Sequence, residues 1–392
     1  MEVKPGYKQT EIGMIPREWD VGCVGDSFDV CNQLRLPISQ SVRERTAGPY
    51  PYYGPTSVQG WINEYRVEGE YALIGEDGDH FLKWCNQPMT LLVRGKFNVN
   101  NHAHLVRGTK NLTQWFYWFF ANRDITPFLT RQGAGRYKLT KAALLQMPCA
   151  VPPVPEQNAI AGALSGVDAL IGALDKLIAK KRDLKQAAIQ QLLTGQTRLP
   201  GFSGEWEVKR FGEIALPRAE RIDPRRAGIQ GFCVELDQIE QATGRLFGST
   251  ATDEHSSLKS VFRTGDVLFG KLRAYLRKYW LAVRDGVCST EIWAFAGRGR
   301  MVTPEFLFQM VQVEDFIEAA SIAYGTHMPR SDWNIVKNYE APLPSVKEQT
   351  AIAAVLSDMD AGIAAPERRL AKTRALKQGM MQELLTGRTR LI

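Results

Sequence analysis

The sequence predicts an α+β protein: two mixed α/β globular blocks separated by two long antiparallel coiled-coil helices, with an internal pseudo-two-fold repeat. Three observations predict it. Residues 156–199, EQNAIAGALSGVDALIGALDKLIAKKRDLKQAAIQQLLTGQTRL, return at a constant offset of 192 as residues 348–391, EQTAIAAVLSDMDAGIAAPERRLAKTRALKQGMMQELLTGRTRL, with about 25 of 44 positions identical and no gap. A shorter echo precedes each intervening stretch, EWDVGCVGD at 18–26 and EWEVKRFGE at 205–213. The intervening stretches themselves, about 20–150 and 208–343, share little with each other and carry aromatic and β-branched residues punctuated by glycine, the composition of short strands. A repeat of fixed period decides architecture before any local reading. Here it divides the chain into a block at 1–150, a helix at 151–200, a block at 201–343 and a helix at 344–392.

In the first block, YPYYGPTSVQGWINEYRVEGEYALIGEDGD (50–79) predicts short strands of a compact sheet, and KFNVNNHAHLV (96–106) continues it. LTQWFYWFFANR (112–123) is apolar enough for a core helix, and TRQGAGRYKLT (130–140) predicts a basic, glycine-rich loop before a short amphipathic stretch. In the first repeat Ile160, Leu164, Val167, Ile171, Leu174 and Ile178 step alternately by four and three, a heptad seam for pairing one helix with another. Ile352, Leu356, Met359 and Ile363 are its equivalents in the second repeat, and Pro366 then stands where Leu174 stood. A proline inside a helix costs about 3 kcal/mol, so a kink or break is expected there. Prolines precede both helices, in VPPVPEQ and PLPSVKEQ, and Gly195 and Gly387 are placed to end them. About 40 helical residues would span roughly 60 Å. So narrow a seam suits two helices pairing with each other better than two helices in separate cores. Lys176, Lys180, Lys181, Arg182 and Lys185, echoed by Arg368, Arg369, Lys372, Arg374 and Lys377, are expected on a solvated face. The second block offers GDVLFGKLRAYLRKYW (265–280), GVCSTEIWAFAG (286–297), a helix around 304–320 and a glycine-rich loop YGTHMPRSDW (324–333). Both blocks end in a basic loop, a short element and a proline run, so a similar topology is expected of both.

The formal net charge of +7 favours a polyanionic partner, and 44% hydrophobic residues supply real cores. Cysteines at 23, 31, 85, 149, 233 and 288 form no Cys-x-x-Cys pair and are expected as buried thiols in a reducing cytosol. No secretory signal opens MEVKPGYKQTEIG and no apolar run reaches the ~18 residues of a membrane span, so a cytoplasmic protein is expected. The familiar catalytic motifs fail one by one. GDVLFGKL (265–272) approaches a P-loop but puts Leu272 where a magnesium-binding hydroxyl belongs. The prolines at 152–153 lack the polar residue before and the aromatic after that an amino-methyltransferase tetrad requires, and EVK (207–209) has no upstream Pro-Asp of a nuclease. His102 and His104 lie on a predicted strand facing one side, half a metal site without a third ligand, so no metal is expected. Intrinsic catalysis has no constellation to rest on.

The stretches GYKQTEIGMIPREWDV (6–21), YPYYGPTSVQGWINEY (50–65), NNHAHLV (100–106), PPVPEQNAIAGALSGVDALI (152–171), LLTGQTRLPGF (192–202), FRTGDVLFGKLRAYLRK (262–278), GVCSTEIW (286–293), GTHMPRSDW (325–333) and PLPSVKEQTAIAAVL (342–356) run through the whole chain in order. Together they resemble the specificity (S) subunits of Type I restriction–modification systems. The resemblance implies that residues 1–150 and 201–343 are target recognition domains, each reading one half of a bipartite, asymmetric DNA site. It implies that the helices set the unread gap and dock two methyltransferase (M) subunits, with restriction (R) subunits joining the complex. It also implies a non-catalytic chain with no cofactor of its own, S-adenosylmethionine, ATP and magnesium belonging to the partners. Pro366 departs from a clean helix pair.

The family pattern does not fix which residues touch DNA, so these follow from chemistry. Amides and guanidinium groups read base edges and basic residues hold phosphates. That selects Asn98, Asn100, Asn101, Arg131, Gln132, Arg136 and Lys138 in the first block. In the second it selects Lys271, Arg273, Arg277, Lys278, His327 and Arg330. Leu272, Trp280 and Trp293 are expected in the core. The competing readings are a self-sufficient DNA methyltransferase or nuclease, and a scaffold whose blocks bind protein.

Overall fold

The computed structural model describes residues 5–132, 136–253, 257–324 and 328–391. The chain is mixed α and β and forms two compact units: unit 1 is Met1–Ala173 with Arg369–Ile392, and unit 2 is Leu174–Arg368. The long helices are α1 (Val154–Leu193) and α2 (Val346–Leu384). Each unit therefore joins one globular block to the first half of one repeat helix and the second half of the other.

In unit 1 a six-stranded sheet runs in the order Phe28–Val30, Ala103–Gly108, Val67–Gly75, Thr90–Val99, Ala47–Tyr53, Val58–Ile62. The apolar helix Thr113–Ala121 lies against it, and Trp115, Phe116, Phe119 and Phe120 bury into one core with Ile160 and Leu164 of α1 and Met381 and Leu384 of α2. In unit 2 a four-stranded sheet runs Ala215–Pro217, Ile292–Gly297, Val267–Gly270, Tyr279–Leu281, with Pro304–Met310 against it. These four strands repeat the order and the antiparallel pairing of the first four strands of unit 1. The flanking ribbons repeat too: Asp20–Cys23 pairs with Pro148–Val151, and Glu207–Arg210 with Glu340–Leu343. A second four-stranded sheet, Arg221–Ile222, Lys259–Phe262, Gly286–Ser289 and Cys233–Val234, occurs in unit 2.

Every predicted seam residue is buried or half-buried. The two helices end where glycine allows a left-handed turn, at Gly195 (φ +73°) and Gly387 (φ +68°). At Gly387 a side chain would also strike Pro16, 2.5 Å from a Cβ. Three local expectations are corrected. The helix is not broken at Pro366: Ile363 is buried in the turn before it, and Glu367 beside it is held by Arg182 and Arg245, so tertiary contact overrules local preference. The single helix expected around 304–320 is two, Pro304–Met310 and Glu314–Ser321, because Val313 is extended (φ −63°, ψ 142°) and buries its side chain with Val311. Lys185 and Lys377 do not lie on a solvated face. Lys185 is buried and binds Asp360 at 2.7 Å within unit 2, and Lys377 binds Asp168 at 2.6 Å within unit 1. Shifting one pair by 192 gives the other, a reciprocity that follows because each unit sets the first half of one repeat helix against the second half of the other.

The same reciprocity explains why the chain writes its repeated phrase twice. Glu156, at the start of the first repeat, is fully buried and accepts a hydrogen bond from Trp19 Nε1 at 2.8 Å and a bidentate pair from Arg390, at the end of the second repeat. Glu348, at the start of the second repeat, accepts from Trp206 Nε1 at 3.1 Å and from Arg198 Nε and Nη2 at 2.6 and 2.8 Å. Next to them, Gln157 and Gln349 make matching bonds, donating to Pro152 O at 2.8 Å and Pro344 O at 2.9 Å and accepting from the backbone of Leu112 and Thr303. Each EW, EQ and TRL phrase supplies one piece of a Trp–Glu–Arg clasp, and each unit takes its pieces from both repeats.

Candidate nucleic-acid interface

In unit 1 the ledge of predicted DNA-contacting residues is made by three pieces of chain. The segment after Gly75, the turn before Ala103 and the hairpin Thr130–Gln132/Arg136–Lys138 are stitched by backbone bonds: Glu76 N–H to His102 O (2.8 Å), Leu139 N–H to Glu76 O (2.8 Å) and Gly78 N–H to Tyr137 O (3.1 Å). Glu76 gathers the cations around it, pairing with Arg35 and, at 3.5 Å, with Lys138. Arg35 also donates to Asn101 O at 3.1 Å. Beneath them His104 is buried, with Nε2 donating to Leu139 O at 2.8 Å and Nδ1 accepting from Asn32 at 2.8 Å. Burial pushes the His104 imidazole below its ordinary value, and the Leu139 carbonyl, which can only accept, fixes the proton on Nε2.

Unit 2 builds its ledge from the topologically equivalent pieces. The segment after Gly270, the turn before Ile292 and the strand Arg330–Ser331 are joined by Lys271 N–H to Glu291 O (3.0 Å), Ser331 N–H to Lys271 O (2.8 Å) and Arg273 N–H to Pro329 O (2.9 Å). Arg330 binds Glu291 with both Nε (2.8 Å) and Nη2 (3.1 Å). Desolvation pushes the Lys271 ammonium below its ordinary value. Arg330 and Lys138 each hold a carboxylate that an incoming phosphate would have to replace.

The predicted residues divide by what their side chains touch. Asn101, Arg131, Arg136, Arg273 and Arg330 are exposed, and Lys138 and Lys271 are half-buried beside them. Arg131 lies over the Tyr137 ring at 4.8 Å and donates to its hydroxyl at 2.6 Å, which holds the guanidinium outward on the hairpin. Asn98 and Asn100 are buried and bonded within the fold. Asn98 is fully buried, donating to Glu64 O at 2.8 Å and accepting from Arg66 N at 2.9 Å. Asn100, 5% exposed, donates to Gln59 and accepts from His102 N, both at 2.9 Å. Their amides hold neighbouring backbone and side-chain groups of the first block in place. Arg277 pairs with Glu314, and Lys278 donates to Leu236 O at 2.8 Å, so both brace the 271–278 loop. The Gln132 side chain and His327 lie outside the described residues. Trp280 is in a core cluster and Trp293 packs against Phe295 and Trp333, as expected, while Leu272 is half-buried. Sequence reasoning missed Arg35, whose setting NQLRLP carries no signal.

His102 faces solvent on Asp77 at 2.9 Å while His104 points inward, so the two do not share a face, a correction to the predicted strand. Among the described residues no group of three His, Cys, Asp or Glu could hold a metal. The strand Val267–Gly270 leads into a single 3₁₀ turn at Ala274–Leu276, which offers no helix N-terminus to a phosphate. Burial pushes the Cys149 and Cys233 thiols up to about 12, so neither is poised as a nucleophile. No helix is long and apolar enough to cross a membrane among the described residues.

Comparison with known proteins bears on the family and the fold. Residues 16–181 match the family described as the Type I restriction modification DNA specificity domain. A putative type I restriction enzyme specificity subunit, S.HindORF215P of Haemophilus influenzae, is 39% identical over 143 residues, 36% of this chain and 35% of that protein. That alignment therefore spans about a third of the relative. The MjaVIII specificity subunit of Methanocaldococcus jannaschii is 22% identical over 418 aligned positions, covering 98% of this chain and 96% of that one. The EcoDI specificity subunit of Escherichia coli is 21% identical, covering 95% and 88%. Among solved structures, the fold resembles the S subunit of a type I restriction–modification system from M. genitalium, at TM-score 0.62 and 12% identity over 98% of both chains. A chain from a structure of type I complex assembly and conformational transition gives TM-score 0.52 at 15% identity, over 95% of this chain and 99% of that one. The match to the DNA specificity domain covers residues 16–181, and specificity subunits of type I restriction enzymes align along nearly the whole length, so the chain is similar in sequence and in fold to the specificity subunits of type I restriction–modification systems.

Proposed function

We propose that this chain directs a type I restriction–modification complex to a bipartite, asymmetric DNA site. The target recognition domains at 1–150 and 201–343 each read one half, through the ledges at Glu76–Lys138 and Lys271–Arg330. The observation that carries this is the recurrence of one ledge, at one place in one strand order, with different side chains: Asn101, Arg131 and Arg136 in one, Lys271, Arg273 and Arg330 in the other. Equal frames with unequal faces suit a protein that reads two unlike sequences in the same way. Phosphate contacts would place each domain and the exposed guanidinium groups would reach base edges. The helix segments 151–200 and 344–392 set the gap between half-sites and dock two methyltransferase subunits, to which restriction subunits join. Methylation, ATP hydrolysis and cleavage then belong to those partners, with S-adenosylmethionine, ATP and magnesium. This chain supplies no catalytic group and works in the cytoplasm. Replacing 201–343 by the corresponding block of a relative with a different target tests the reading. One half of the methylated sequence should change and the other should stay. Change in both halves would refute one domain per half-site.

A further inference from the structure

We propose that the Tyr275 ring stacks on a base within the half-site read by unit 2, resting on the reading above. Tyr275 is 53% exposed, at the tip of the 3₁₀ turn Ala274–Leu276. The residues on either side of that turn, Arg273 (φ 54°) and Arg277 (φ 51°), are two of only three non-glycine residues with left-handed backbone among the described residues. Such a backbone is unfavourable for an arginine and persists only where its surroundings dictate it. Here they do: Arg273 N–H is bound to Pro329 O (2.9 Å), Gly270 N–H to Lys278 O (2.8 Å), Lys278 Nζ to Leu236 O (2.8 Å), and Arg277 to Glu314. The turn is fixed on both shoulders while its ring is left in solvent, beside Arg273 of the ledge. An aromatic ring carried outward on a fixed turn beside a cation suits insertion at a base step, where it partly unstacks the pair and takes a neighbouring base's place against the π-face so exposed, next to the phosphates. The equivalent connection in unit 1, between Val67–Gly75 and Thr90–Val99, also carries a 3₁₀ turn (Asp79–Lys83) with an exposed apolar tip, Leu82 at 52%.

The test uses the full chain with its partner subunits, the duplex target identified by methylation sequencing, and duplexes with either half-site scrambled. Tyr275→Ala should weaken binding to the intact target by about five- to 150-fold, the range for loss of one base stack. Tyr275→Phe should bind within about twofold of the unaltered chain, and neither variant should change thermal unfolding, since the side chain is half in solvent. On a duplex whose unit 2 half-site is scrambled, the Tyr275→Ala penalty should vanish. Leu82→Ala, as a control, should leave discrimination at the unit 2 half-site unchanged. Binding of Tyr275→Ala within twofold, or an equal loss in Tyr275→Phe, would overturn the stacking role while leaving the wider reading intact. Failure of the unaltered complex to prefer its target would overturn both.

Discussion

Arg390→Met removes the cation from one Trp–Glu–Arg clasp and keeps most of the side chain's bulk. The Glu156 carboxylate is fully buried, and two of its three hydrogen bonds come from Arg390, leaving only Trp19 Nε1. Breaking a buried pair from one side costs about 3–5 kcal/mol because the remaining charge is left uncompensated. The Arg390 side chain is 24% exposed, so water can reach the vacated space, and the lower end applies. About 3 kcal/mol is roughly a 150-fold rise in the opening equilibrium of that junction. Hydrogen-exchange mass spectrometry reads it directly: peptides over 16–24 and 154–164 should lose protection. The counterparts over 203–211 and 346–356 belong to the Glu348 clasp and should not. Arg198→Met should reverse the pattern. Adding Glu156→Gln to Arg390→Met should restore part of the protection, since a neutral amide needs no counter-charge. A change below about 0.5 kcal/mol, the usual scale of an indifferent surface substitution, or an equal change at both junctions, would refute the view that each repeat closes the other's carboxylate.

Other consequences concern recognition and pH. Arg136 is exposed on the unit 1 hairpin, so Arg136→Ala should weaken the footprint over one half-site by about 1–3 kcal/mol and leave the other nearly untouched; equal weakening over both halves would remove it from the reading surface. Deleting one heptad from α1 together with its partner heptad in α2 should change the tolerated gap between half-sites in the methylated motif, and an unchanged gap would mean that something other than helix length sets it. Burial lowers His104 below its unfolded value, so its contribution to stability is complete above the unfolded value of 6.5 and is lost as pH falls from there toward the folded value. The urea midpoint of unit 1 should therefore fall between pH 7.5 and about 5.5, the window around an ordinary histidine, and His104→Gln should flatten that fall. An identical fall in the variant would place the titration elsewhere.

What the sequence made legible was whatever repeats in one dimension. The heptad seam, the closing glycines, the apolar helix at Thr113–Ala121 and the shared order of the two blocks all follow from periodicity and residue type. The clasp was visible as letters, EW, EQ and TRL, but not as an interaction, because each glutamate bonds to an arginine in the other repeat. The site was less legible. A buried asparagine and an exposed one look alike in sequence, and only the structure separates Asn98 and Asn100, which are buried, from Asn101, which is exposed. Lys185 and Lys377 looked like surface lysines until the acids facing them, Asp360 and Asp168, came into place across the helix pair. Pro366 does not end the helix because propensity is local, while the packing that holds the turn around it is not.

Modified-base sequencing of the genome that carries this gene, with the gene intact and deleted, tests the central claim most directly. The account predicts a split, asymmetric motif, two short defined halves around an undefined gap, methylated in the first genome and unmethylated in the second. If an active methyltransferase partner is present and the methylated motifs are the same with and without the gene, this chain does not choose the site.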